Sequence, residues 1–146
     1  MNNILNNKEN SAIQKHIDIL QNIISRMSSN SASCKTWSFG LVGAMLALFI
    51  ESGKVDCLCI AIIPSLLFYI ADSYYVSLER DFRTLYTQFV SSINDECIDN
   101  KNIFVIQLPS SWKHRIIALI TSMFSFSTVI FYMPLIITII VIQIVI

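Results

Sequence analysis

The sequence predicts an all-α membrane protein: an antiparallel transmembrane helical hairpin extended into a cytosolic two-helix coiled coil, then an interfacial helix and a C-terminal transmembrane helix. Three observations predict it. Two uncharged runs of fifteen residues, TWSFGLVGAMLALFI between Lys35 and Glu51 and CLCIAIIPSLLFYIA between Asp56 and Asp72, face each other across a short polar turn. The last 31 residues, Ile116 to Ile146, carry no charged side chain. Hydrophobic residues make up 54% of the chain and charged residues 14%, whereas charged residues are about 25% of ordinary soluble domains. Mean hydropathy is +0.61, and a bilayer accommodates the apolar C-terminal end that water would not.

Composition also excludes several function classes. Ten Lys plus Arg balance ten Asp plus Glu, so the chain lacks the broad basic surface that nucleic acid requires. The polar start, MNNILNNKEN, is not the basic-then-apolar pattern of a cleaved signal peptide. Of Cys34, Cys57, Cys59 and Cys97, only the middle two are close, and a lone C-x-C pair lacks zinc-site spacing. Free cysteines pack as small apolar residues; in an oxidising compartment Cys57 could instead cross-link subunits. His16 and His114 lie far apart outside any nucleophile, metal or phosphate-loop motif, so both are expected to face solvent or headgroups. The expectation is a protein without cofactor, metal or catalytic set.

Residues 1–10 are read as a flexible N terminus and 11–35 as the first cytosolic stalk helix, capped by Asn10 or Ser11. Its apolar positions Ile13, Ile17, Leu20, Ile24 and Met27 alternate four and three apart, which is a heptad seam. Ser28 to Ser33 is weak in helix propensity and marks a kink or the level where the helix leaves water. Transmembrane helix 1 is assigned to 36–52; Thr36, Gly40 and Ala44, with Gly43 and Ala47 beside them, give it a small-residue face that lets helices approach closely. Lys35 and Trp37 suit its inner interface.

Transmembrane helix 2 covers 56–73 with a kink expected at Pro64, and 74–93 returns as the second stalk helix with Leu78, Phe82, Leu85 and Phe89 as its seam. Folding the chain about residues 53 and 54 brings the two seams together. It also sets Lys35 level with Asp72 and Arg26 level with Asp81, two charge pairs of structural character. Residues 94–110 form a polar loop with the apolar strand- or loop-like run NIFVIQL. Ser110 or Ser111 then caps an interfacial helix at 111–123, where Trp112, Lys113, His114 and Arg115 suit anionic headgroups. The final span is 124–146, favoured over two short spans turning near Tyr132, Met133 and Pro134, because that turn lacks Gly, Asn and Asp. Nine of ten basic residues lie before the first span or between the second and third, which puts the N terminus in the cytosol of a multi-pass inner-membrane protein.

Two segments resemble a known group. Arg26-Met-Ser-Ser-Asn-Ser31 followed by Lys35-Thr-Trp37, and Asp72-Ser-Tyr-Tyr75 with Glu79-Arg80-Asp-Phe-Arg83-Thr-Leu-Tyr86, look like a family of small bacterial multi-span membrane proteins. Some of its members are similar to proteins encoded beside TIR-like and other anti-phage defence genes. The resemblance implies a membrane effector in bacterial defence.

The spans lack the charged groups that a coupled transporter usually carries at membrane depth, but Thr121, Ser125, Thr128 and Tyr132 recur four, three and four apart on one helical face. They are either helix-packing hydroxyls or the lining of a pore built from several copies. The resulting expectation is an effector that oligomerises and disrupts the inner membrane on an upstream signal, with the bilayer, further copies and a cytosolic signalling protein or small molecule as partners. The alternative is an anchor or assembly subunit that recruits a cytosolic enzyme and makes no pore.

Overall fold

The computed structural model describes residues 2–52, 56–94, 104–108 and 111–145, with the helical side chains of 11–51, 60, 62–94, 111–142 and 144. Those residues are all-helical apart from the short segment 104–108 and the helix junctions. α1 spans Asn2–Ser52, α2 Asp56–Asn94, α3 Trp112–Met123 and α4 Phe126–Val145. No strand occurs among them, so the Val105 to Leu108 part of the apolar run lies without regular structure.

α1 begins at Asn2, ahead of the cap expected at Asn10 or Ser11, and passes through Ser28–Ser33 unbroken. No Pro or Gly interrupts it before Gly40, and Ser33 and Thr36 bond back to the carbonyls of Ser29 and Ala32 at 3.0 Å each. Hydroxyls bonded to the carbonyl four residues back do not displace the backbone ladder, at most bending the helix slightly. α2 runs antiparallel to α1. Three contacts fix their register: Lys35 against Asp72, the Gln21 amide donating to the Tyr86 hydroxyl at 3.4 Å, and the His16 ring 4.3 Å from Phe89. Along this contact Leu20 is buried, while Ile13, Ile17, Ile24, Met27, Leu78, Phe82, Leu85 and Phe89 are half-buried. Two helices can cover only one side of each seam residue.

Arg26 and Asp81 do not pair, contrary to their expected level match. Arg26 is exposed, and Asp81 sits on the side of α2 that faces α3, with Trp112 and Arg115 lining the same cavity. The small-residue face of α1 also turns away from α2. Gly40, Gly43, Ala44 and Ala47 are exposed, and a Cβ added at either glycine would meet no atom within 4 Å.

α3 and α4 lie along α2 and meet at a 57° bend. The break falls at Phe124–Ser125, where Ser125 N–H bonds to the Ser122 carbonyl and the Ser125 carbonyl accepts from Val129 at 2.9 Å. Ser125, Ser127 and Thr128 are weak helix formers, so the chain bends there at low cost. Pro134 makes no second break: α4 continues through it, and Thr138 donates to its carbonyl at 2.8 Å. α4 docks on α1 through Val42, Leu135 and Ile139, with Leu46 and Phe131 packed around them.

Within α1, the stretch Ser11–Glu51 is long and apolar enough to cross a bilayer, its mean hydropathy reaching 1.4 over the best window. α3 and α4 meet the same criterion only together, as a bent pair. The turn centre at 53–55, Cys57, Cys59 and Cys97 with the cross-link considered for Cys57, Ser110 and most of the 94–110 loop lie outside the described residues or side chains. Ser111 stands at the N-cap of α3 with an extended backbone; its carbonyl accepts from Arg115 at 3.2 Å, and its hydroxyl makes no cap bond.

Candidate functional site

Where the four helices converge, the interior is polar. Ser31, Lys35 and Ser38 recur on one face of α1, and that face meets Asp72 and Ser73 of α2. Lys35 Nζ lies 2.8 Å from Asp72 Oδ1 and 2.7 Å from Oδ2, and it also donates to Ser31 Oγ at 3.0 Å. The Ser31 hydroxyl in turn donates to Asp72 Oδ1. Asp72 is fully buried and the Lys35 side chain is 18% exposed, so this is an interior ion pair whose ammonium is held by two oxygen-bearing side chains. Ser73 donates to the Tyr69 carbonyl at 2.7 Å.

The expected hydroxyl stripe is not one continuous face. The bend separates Thr121 from the rest; Thr121 is exposed and bonds back to the Ile117 carbonyl at 2.8 Å. Ser125 at the bend accepts from Arg80 Nη2 at 2.8 Å. Thr128 and Tyr132, at 0% and 1% exposure, turn inward towards α2, where the Tyr132 ring packs 5.2 Å from that of Tyr69. The Tyr69 hydroxyl donates to the Met123 carbonyl at 2.9 Å, tying the end of α3 to the same place.

Four buried hydroxyls here have no hydrogen-bond partner within the described protein: Ser38, Ser122, Thr128 and Tyr132. No hydroxyl reaches Asp72 Oδ2, whose neighbour is the Lys35 ammonium. An unmatched buried hydroxyl costs about 1–3 kcal/mol. The node is therefore well ordered around Asp72 and unsatisfied around α4. Among the described residues no three His, Cys, Asp or Glu side chains gather where a metal could sit.

A second feature departs from expectation. His16 is 4% exposed instead of facing solvent, because α2 and the segment beginning at Phe104 close over it. Its Nδ1 accepts the Phe104 N–H at 3.1 Å, and its ring packs between those of Phe89 and Phe104. Phe104 holds φ at 74°, a left-handed conformation uncommon outside glycine. His114, by contrast, is exposed. The sequence signal for this contact was available only in part: His16 occupies a seam-flanking position, but nothing local ties it to a residue so distant in the chain.

Burial pushes the His16 imidazole below its ordinary value of 6.5. The unfolded chain thus takes up this proton before the folded chain does. The stability contributed is complete above 6.5 and is lost as pH falls from there towards the lower folded-state value. Amide exchange across 104–108, corrected for its intrinsic rate, is expected to be flat above about pH 6.5 and to accelerate as pH falls below it. His16→Gln, which keeps an acceptor, should flatten that pH dependence; an unchanged profile would exclude His16 as its source.

Compared with known protein families, curated proteins and solved structures, the chain matches none.

Proposed function

We propose that this chain is a multi-pass bacterial inner-membrane effector whose resting fold conceals the polar residues it uses to breach the bilayer. The observation that carries this reading is an inverted polarity. Serines, Thr128 and the Lys35–Asp72 pair fill the helix junction, while large apolar side chains such as Ile50 (80% exposed) and Phe126 (81% exposed) point outward. Water disfavours that arrangement and lipid favours it. The α1–α2 hairpin then crosses the bilayer twice from a cytosolic coiled-coil stalk, α3 rests at the inner interface, and α4 crosses last. The second crossing is short, the uncharged run of α2 being fifteen residues, and flanking polar and aromatic residues extend it.

In this scheme a cytosolic signalling protein or small molecule acts on the stalk. Copies associate through the open face at Gly40, Gly43 and Ala47, and α4 turns Thr128 and Tyr132 from the interior into a shared polar lining. A single chain has too few helices to enclose a pore, so association is required. Expression of the intact protein with its trigger should collapse the membrane potential, read with a voltage-sensitive dye. Gly40→Leu, which fills the open face away from the α4 contact, should reduce both cross-linked oligomer and depolarisation severalfold. An inserted, triggered chain that leaves the potential intact would overturn the effector reading.

One observation favours the anchor reading. An open groove of about 800 Å³ runs along the stalk, lined by Gln21, Ser25, Ser28, Arg83, Tyr86 and Thr87, and its hydroxyl-rich walls suit a docked cytosolic partner. In that case recruitment would survive Gly40→Leu.

A further inference from the structure

Beside the node, α2 and α3 enclose a separate cavity of about 240 Å³. Its lining is mostly apolar, with Ile116 and Leu119 from α3 and Tyr74 from α2, and it includes two opposite charges, Asp81 and Arg115, together with Trp112. Neither charge is in an ion pair among the described residues: the pairs there are Lys35–Asp72 and Arg83–Glu79. An anion and a cation thus line one small space without joining each other.

Depth places this space. At about 1.5 Å of rise per residue, Asp81 stands roughly 13 Å beyond Asp72 along α2. With Asp72 at the inner end of the second span, the cavity runs from Tyr74, roughly 3 Å out and in the headgroup layer, to Asp81 at the aqueous side of that layer, where an ammonium reaching outward from a lipid phosphate would lie; Trp112 suits the same interface.

We propose that this cavity is a binding site for a zwitterionic phospholipid with a primary ammonium, a phosphatidylethanolamine-type headgroup. The lipid phosphate meets the Arg115 guanidinium. The ammonium donates to the Asp81 carboxylate, and the glycerol and first acyl carbons lie against Tyr74, Ile116 and Leu119. Charge complementarity selects the occupant: a purely anionic headgroup would satisfy Arg115 and be repelled by Asp81, and a trimethylated ammonium would offer the carboxylate no N–H. The proposal rests on the membrane reading above.

The test uses the full chain inserted in vesicles, checked by resistance to alkaline carbonate extraction, then taken into detergent for native mass spectrometry. Phosphatidylethanolamine, phosphatidylcholine and phosphatidylglycerol are titrated in separate arms. The expected result is a one-lipid adduct with phosphatidylethanolamine at a concentration on the order of tenfold lower than with phosphatidylcholine. Asp81→Asn should abolish that preference at unchanged helical content, and Arg115→Gln should weaken all three lipids. Equal binding of ethanolamine and choline lipids, tightest binding of phosphatidylglycerol, or a preference that survives Asp81→Asn would overturn the site alone. A chain washed off by carbonate would overturn the membrane reading and the site with it.

Discussion

Replacing Lys35 with Met is expected to lower stability by roughly 3–5 kcal/mol, the range for stranding one member of a buried pair. Asp72 is fully buried, and Lys35 is the cation that contacts both of its carboxylate oxygens, at 2.8 and 2.7 Å. Met keeps the length and apolar stem of the side chain, so little packing is lost and the charge effect dominates. Ser31, whose hydroxyl already donates to Oδ1, cannot neutralise what remains. The double variant Lys35→Met with Asp72→Leu should recover most of the loss, because a buried ion pair exchanged for apolar residues of similar size is often neutral. Reversible unfolding in mixed micelles, followed by helical circular dichroism, measures both differences against the parent chain. A single-variant loss below about 1 kcal/mol would be the value of a solvent-screened surface pair and would remove the node from the interior.

The hairpin register was legible because it depends on two periodic patterns and one turn. Once the chain folds about residues 53 and 54, Lys35 has to meet Asp72, and the structure brings them to 2.7 Å. Arg26 and Asp81 share that level but not that side: a level match fixes height along two helices and leaves rotation about each axis free. Rotation is set by α3 and α4, whose positions follow from contacts such as Arg80 with Ser125 that no local pattern announces. The same limit explains the hydroxyl stripe, whose spacing is regular in sequence while the 57° bend divides it in space. The Phe124–Ser125 break was readable only as a boundary between an interfacial and a spanning segment, not as a change of direction. His16 was illegible for another reason, since its partner Phe104 is close in space and remote along the chain.

The small-residue face shows how a pattern can announce close approach without naming the neighbour. Close approach at Gly40 and Gly43 is a property of the sequence, but α2 packs on the opposite side, where Ser31, Lys35 and Ser38 meet Asp72 and Ser73. Ser31, Lys35 and Asp72 satisfy one another across the hairpin, and Gly40 is left facing outward. Gly40 and Ala47 lie outside the contacts α1 makes with its neighbours, whereas Gly43 borders the cavity between α1 and α4, so only the former can be altered without touching the interior.

Removing the hydroxyls of Thr128 and Tyr132 together, as Thr128→Val and Tyr132→Phe, is expected to make the resting protein more stable and the effector weaker. Both groups are buried without a partner in the described protein, so each burdens the resting fold by about 1–3 kcal/mol. Val and Phe keep nearly the same shape, and the Tyr69–Tyr132 ring contact at 5.2 Å is retained with Phe. Unfolding in micelles should therefore shift towards higher stability by up to a few kcal/mol, opposite in sign to most core substitutions. Depolarisation should fall at the same time, because the rearranged state gains its advantage from hydrating the hydroxyls that the resting state leaves unmatched. Removing them closes the free-energy gap from both sides. A variant that is stabilised yet still depolarises fully would mean that the lining lies elsewhere, and one that is destabilised would mean that these hydroxyls are satisfied in the resting state; either result would detach the stored strain from the activity.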